Sequence, residues 1–197
     1  MAWEMVERWP AWPDAMLLLI GPEGAGKSHL AAIWAARSGA RVLDAVDLAG
    51  ADPLQMSGAP AILLEDADRP PVAEAPMFHL LNLARAARIP VLATARDFPD
   101  RWGLATADLV SRLRLAATVE IGAPDDALVR AVLVKLFVDR QLVVDTTLVE
   151  YIANRIERSL GAARAIVAAL DKEALALGRP VSRQLAGELI RRIEDRG

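Results

Sequence analysis

The segment Gly21-Pro22-Glu23-Gly24-Ala25-Gly26-Lys27-Ser28 places two glycines, a lysine and a hydroxyl residue at the spacing G-x-x-x-x-G-K-[ST]. Glycine lets the backbone turn its N–H groups inward onto anionic oxygens, and a helix starting near Lys27 adds the positive end of its dipole. Such a loop cradles nucleotide phosphates. Lys27 would sit on the β- and γ-phosphates as a point charge, and the Ser28 hydroxyl would complete the coordination of Mg²⁺. The plain alternative is a glycine-rich turn; the apolar run 17–20 directly upstream and the helical pattern downstream supply the context that favours phosphate.

Ala61-Ile62-Leu63-Leu64-Glu65-Asp66 sets two carboxylates after four apolar residues. Phosphoryl transfer needs positioned charge more than covalent chemistry, so one acid would orient a Mg²⁺-bound water and the other polarise an attacking water. The pattern does not say which acid does which. Thr94 closes another apolar run, where a hydroxyl can bond the γ-phosphate or the attacking water, although threonine also favours strand ends by propensity. Arg112 and Arg114 stand where a guanidinium can be presented to another subunit's nucleotide, and Arg158 and Arg164 lie in a helical part that can close as a lid. Solvated arginine is the ordinary alternative for all four. His29 and His79 read as structural rather than catalytic, and Trp3, Trp9 and Trp12 as packing rather than a base-stacking platform.

These residues need elements to hold them. Up to about Pro124, short apolar runs at 17–20, 41–43, 61–64, 91–93 and 118–121 alternate with helical stretches, the pattern of a parallel sheet covered by helices. Beyond it every segment repeats at helical spacing, with Leu128, Val132 and Leu136 as one stripe and Leu148, Ile152 and Ile156 as another. Thr147 with Glu150 has the form of a capping box, Gly161 can break the chain, Gly178 with Pro180 ends a helix, and Ser182 can cap the last one. The expected organisation is an α/β base domain over 1–124 and a small all-helical lid over 125–197.

Composition narrows the function classes. Of 197 residues 54% are apolar and 25% charged, enough for a core, while the net charge of −3 provides no broad electrostatic footprint for nucleic acid. With no cysteine and two histidines, a thiol nucleophile and Cys- or His-rich metal sites are excluded, so any metal must be held by oxygen. Apolar runs such as 16–20 are far too short for a bilayer, so a cytoplasmic protein without membrane contact is expected.

Taken in order, the phosphate loop, Glu65-Asp66, Phe78-His79-Leu80-Leu81-Asn82, Thr94, Arg112 and the helical tail resemble the AAA+ module of the bacterial replication initiator DnaA, nearly end to end. The loop with the His29-Leu30 that follows it is most similar to the Hda family, the DnaA-related regulatory inactivators. The resemblance implies a five-stranded AAA+ P-loop base with a helical lid. It implies Lys27 and Ser28 on phosphate and Mg²⁺, Glu65 and Asp66 as the Walker B acids with Glu65 on the metal, and Thr94 as sensor 1. It further implies Arg112 as an arginine finger acting in trans and Arg158 as the sensor 2 arginine. Gly21, Pro22, Glu23, Gly24, Ala25, Gly26 and His29 complete the nucleotide contacts.

Members of that family hold ADP, bind the replication sliding clamp, and dock on ATP-loaded DnaA to promote hydrolysis of its ATP. ADP or ATP with Mg²⁺ is therefore the expected cofactor, and DnaA the expected partner. The Gln-Leu-apolar clamp motif that relatives carry near their start does not stand at the start of this chain, and a homodimer stays open. No helix-turn-helix domain follows, so sequence-specific DNA binding is not expected. Glu65 stands where relatives carry Asp, and Ala95-Arg96 where a polar pair is usual, which implies weak or no intrinsic hydrolysis. The rival reading is a free-standing ATPase or helicase-loader-like protein on single-stranded DNA. Against it, the stretch 44–60 is short and interrupted by Gly50, Pro53 and Gly58, leaving little room for the extra helix of loaders.

Overall fold

The computed structural model describes residues 2–50, 56 and 58–194. Its organising element is β1, Met16–Ile20, five aliphatic residues buried throughout. A strand can be apolar on both faces only if both are covered, which places it inside a parallel sheet. β1 pairs in parallel with β4 (Val91–Ala95) on one side and β5 (Ala117–Glu120) on the other. β3 (Ile62–Glu65) pairs with β4, and β2 (Arg41–Asp44) with β3, so the order is β2-β3-β4-β1-β5.

Alternation along the strands builds two cores. Leu18 and Ile20 point into one with Ile62, Leu64 and residues of α3 (Glu74–Ala87) and α4 (Ala107–Leu115). Leu17 and Leu19 point into the other with Leu63, Leu92 and residues of α1 (Ala2–Glu7) and α2 (Lys27–Ser38). Trp9 and Trp12 pack there on Trp34, at ring-centroid distances of 6.3 and 5.4 Å, and the Trp12 indole N–H donates to the Met5 carbonyl at 2.7 Å. The tryptophans before β1 are thus structural, and their common partner Trp34 is a residue that periodicity alone did not single out.

The chain forms two compact units: one takes the residues up to Pro22 and Gly26–Gly122, the other takes Glu23–Ala25 with the chain from Ala123 on. The second unit contains α5 (Asp126–Asp139), α6 (Thr146–Ala153), α7 (Leu160–Leu177) and α8 (Arg183–Glu194). Three expectations are corrected here. The buried stripe of α5 is Val129, Leu133 and Phe137, one residue beyond the expected Leu128, Val132 and Leu136: Leu128 is 45% exposed, and the other two lie at the rim of the core. An almost uniformly apolar helix offers several faces at four-residue spacing, and packing chooses among them. The cap of α6 is Asp145, which accepts from the Leu148 N–H and the Thr147 hydroxyl, both at 2.7 Å; Thr147 is not the cap, and Glu150 pairs with Arg130 instead. Gly161 does not break the chain but lies in the first turn of α7, which Ser159 caps.

Strand bounds also move by one or two residues. β3 runs on to Glu65, opposite Asp44, so the first acid is part of the ladder. β4 contains Thr94, and β5 begins at Ala117. The Asp44-to-Pro60 connection holds a short 3₁₀ turn, Ala45–Gly50; Pro53 lies outside the described residues. No helix among the described residues is long and apolar enough to cross a membrane.

Candidate nucleotide-phosphate site

In an open parallel sheet, ligands sit beyond the carboxyl ends of the strands, and three such ends converge here: Gly21 after β1, Glu65-Asp66 at β3, and Thr94 near the end of β4. Gly21 can only be glycine, because a Cβ there would lie 2.1 Å from the Ile121 carbonyl oxygen. Gly24 (φ +73°) and Gly26 (φ +100°) take left-handed conformations, and Gly26 is the N-cap of α2. The turn, the positive end of a 12-residue helix and Lys27 therefore converge at one place.

Lys27 is 7% exposed, and its ammonium donates to the carbonyls of Gly21 (2.6 Å) and Pro22 (2.9 Å). A buried ammonium must have acceptors; its own loop supplies them, and phosphate oxygens are stronger ones. Beside it, the Ser28 hydroxyl donates to Glu65 Oε2 at 3.3 Å and the Thr94 hydroxyl donates to the same oxygen at 2.6 Å. Thr94 is fully buried, and its hydroxyl also accepts the Asp66 N–H at 2.9 Å, which directs its own proton to Glu65. One threonine thereby ties β4 to the acid of β3.

The oxygen donors fit Mg²⁺. Octahedral ligands at about 2.1 Å from the ion lie about 3 Å from their neighbours, close to the Ser28–Glu65 separation, and such an ion takes few protein ligands and keeps several waters. No group of three or more acidic or histidine side chains that could hold a metal occurs among the described residues, so a cation here depends on Ser28, Glu65 and phosphate.

Asp66 behaves differently from Glu65. Its backbone is left-handed (φ +52°), and its side chain lines a neighbouring cavity of about 290 Å³ with Asp68, Arg69 and Arg96. Asp68 Oδ2 accepts the N–H groups of Arg96 (2.7 Å) and Asp97 (3.1 Å), which joins the loops after β3 and β4. Glu74 does similar work for α4: its carboxylate accepts the N–H groups of Ala105 (2.9 Å) and Thr106 (2.8 Å). Those bonds, with the Thr106 hydroxyl, hold the Glu74 carboxyl below its ordinary value. Neither Asp68 nor Glu74 stood out in the sequence, because their partners are 28 to 32 residues away.

Glu23, Ser28 and His29 are exposed, while Ala25 is buried. Arg112 on α4 is half-buried, its guanidinium 5.0 Å over the ring of Phe78, with no carboxylate in ion-pair reach among the described residues. Arg114 is instead paired with Asp100, with Nε at 2.9 Å. In the second unit Arg158 pairs with Asp126 at 2.8 Å, and Arg164 is exposed.

No protein-family model and no curated protein matches the sequence. Among solved structures the chain is similar to domain III of the Thermotoga maritima replication initiation protein DnaA, with a TM-score of 0.80 and 15% identity, over 96% of this chain and 88% of that one. It is also similar to AMPPCP-bound DnaA from Aquifex aeolicus (TM-score 0.74, 17% identity, 98% and 65% of the two chains). A third match is the Thermotoga maritima RuvB Holliday junction branch migration motor (TM-score 0.64, 17% identity, 89% and 61%). The chain spans less than two thirds of the length of these last two. The likeness defines the fold: this is an AAA+ P-loop NTPase fold, an all-parallel five-stranded sheet with flanking helices. Within that class, the DnaA module is matched over most of both chains.

Proposed function

We propose that the chain binds adenine nucleotide, ADP in its regulatory state, with Mg²⁺ at the loop 21–28, and that it regulates replication initiation by promoting hydrolysis of ATP bound to DnaA. The observation that carries the reading is the buried Lys27 ammonium beside the Ser28–Glu65–Thr94 chain of hydrogen bonds. Lys27 would bind the phosphates, Ser28 and Glu65 would hold the ion, and Thr94 would keep Glu65 oriented. Bound Mg²⁺ would neutralise charge on the phosphate oxygens. The AMPPCP carried by the Aquifex aeolicus neighbour supports an adenine nucleotide as the ligand.

Intrinsic turnover is weak in this reading, because Glu65 is engaged by two hydroxyls and Asp66 lines the side cavity, so neither carboxylate is positioned to polarise a water. Arg112 is the group offered outward: a guanidinium resting on an aromatic face without a carboxylate keeps its charge for a partner's nucleotide. Such a finger is worth about three to five orders of magnitude in rate. Phosphate release from ATP-loaded DnaA, measured with and without this protein, tests it. Stimulation should be lost in Arg112→Ala while Mg-ADP binding is retained; equal stimulation by the variant would sink the reading. The rival role, a free-standing ATPase on single-stranded DNA, would show as turnover by the protein alone, stimulated by the strand.

A further inference from the structure

Past their last paired residues, Leu64 and Ala93, β3 and β4 are joined by the loops that follow them. The left-handed backbone of Asp66 (φ +52°) starts a turn that the Arg69 N–H closes onto the Asp66 carbonyl at 2.9 Å, with Ala67 buried in the core. That turn carries Asp68 across to the loop after β4, where its Oδ2 accepts two successive main-chain N–H groups, Arg96 at 2.7 Å and Asp97 at 3.1 Å. Hydrogen bonds to an ionised carboxylate are about twice as strong as neutral ones, so Asp68 is a firm tie.

The segment it ties begins at Thr94. The Thr94 carbonyl accepts the Ala67 N–H at 2.8 Å, and its hydroxyl stands between the Asp66 N–H and Glu65 Oε2. Residues 94–97 are thus held at one end by the start of the turn and at the other by Asp68. The opposite flank of β4 is held separately: Ala95 lies beside Ile20 of β1, and its carbonyl accepts the Gly21 N–H at 3.2 Å. Losing Asp68 therefore releases the flank that faces Glu65 and leaves the flank that faces Gly21. All of these residues belong to one compact unit.

We propose that Asp68 is a positioning residue for the cation: by fixing the chain after β4 it holds the Thr94 hydroxyl on Glu65, and so sets how strongly a divalent cation adds to the binding of a nucleotide's phosphates. The inference rests on the reading above, in which Ser28 and Glu65 hold Mg²⁺. A directional bond such as the one at 2.6 Å from Thr94 to Glu65 is lost on a displacement of about an ångström, and Glu65 is then oriented by Ser28 alone, at 3.3 Å. Groups that orient a metal ligand from behind are worth about ten- to a hundredfold in metal affinity; Asp68 acts one step further out, which puts its share near the lower end. Contacts of Lys27 and the loop with phosphate do not pass through Asp68.

The test is calorimetric titration of the full chain with ADP, with Mg²⁺ and again with a chelator in its place. It compares wild type, Asp68→Ala, Asp68→Asn, Thr94→Val and the double variant Asp68→Ala with Thr94→Val, with Lys27→Ala as the control. The strengthening of ADP binding by Mg²⁺ should be about tenfold smaller in Asp68→Ala than in wild type, while the chelated affinity stays within about twofold. Asparagine keeps an acceptor oxygen in place, so Asp68→Asn should restore most of the strengthening. Beside Thr94→Val, Asp68→Ala should cost less than about twofold more, because the route through Thr94 is already cut.

A merely structural Asp68 would lower the thermal midpoint of the nucleotide-free protein and leave the ratio of the two affinities unchanged. An unchanged ratio overturns the proposal, as does a full additional loss beside Thr94→Val. Wild type gives a second readout that does not depend on how Asp68→Ala folds. Coupling between sites is reciprocal, so adding Mg²⁺ to the ADP-bound chain should slow amide exchange at Arg96 and Asp97 by about the same tenfold factor, and unchanged exchange there also overturns the proposal. If Lys27→Ala loses ADP and Mg²⁺ strengthens binding equally in wild type and Asp68→Ala, the clamp falls and the cation site stands. A wild-type chain whose ADP binding ignores Mg²⁺ removes the cation reading itself.

Discussion

The main-chain N–H of Leu160 donates to the carbonyl of Gly24 at 2.8 Å, so the middle of the phosphate loop belongs to the same compact unit as the start of α7. The approach is close enough that a Cβ on Gly24 would stand 2.3 Å from Ser159 Cβ, and Gly24 is left-handed as well. The glycine spacing proposed to serve phosphate thus also serves packing of the loop against a helix cap.

Gly24→Ala should therefore destabilise the protein through both strain and contact, by about 1–3 kcal/mol. Denaturant unfolding measures the loss, and hydrogen exchange should place it at the start of α7, where the Leu160 amide loses protection. A variant with wild-type stability and unchanged exchange at Leu160 would refute the packing role.

Lys27→Ala removes a buried ammonium from the proposed phosphate site. Truncating one partner of a buried charge-assisted pair costs about 2–5 kcal/mol, or about thirty- to several-thousand-fold in affinity. Calorimetry with Mg-ADP should show this while circular dichroism stays native. Binding within threefold of wild type would mean that the loop is a structural turn.

Thr94→Val keeps the shape and deletes the hydroxyl that donates to Glu65 and accepts the Asp66 N–H. Leaving a buried donor unpaired costs about 1–3 kcal/mol of stability. The Mg²⁺-dependent part of nucleotide affinity should fall more than the Mg²⁺-free part, because Glu65 loses its orientation. Equal losses with and without Mg²⁺ would show that Thr94 acts only structurally.

Glu74 gives a pH signature. The Ala105 N–H, the Thr106 hydroxyl and the Thr106 N–H favour its ionised form, so its folded-state value is below the ordinary 4.5. Its contribution is complete above that ordinary value and is lost as pH falls through the lower, folded-state value. The difference in thermal midpoint between wild type and Glu74→Gln should be largest near neutral pH and shrink in acid. A difference that grows on acidification contradicts the assignment.

Much of this molecule could be read along the chain, for reasons of short range. Residues 21–28 announce a glycine-rich turn into a helix because glycine conformation and helix N-terminal charge are local properties, and β1 announces its burial because five successive aliphatic residues have no solvent-facing side. Local signals failed where alternatives were nearly equal. The four-residue repeat of α5 fits more than one face, and Asp145 stands two residues before Thr147 as an equally good cap.

By itself, the sequence determined the alternation of strand and helix, the loop 21–28, the acid pair, and the absence of thiol and histidine-cluster chemistry. Only the tertiary structure decided that Glu65 meets Ser28 and Thr94 while Asp66 lines another cavity, that Arg112 lies over Phe78, and that Asp126 holds Arg158. These are contacts between residues 29 to 37 positions apart or on separate helices, set by the order in which parallel strands assemble and by which face of a helix is buried. Residue spacing carries no record of either, because both follow from packing free energy summed over a whole core.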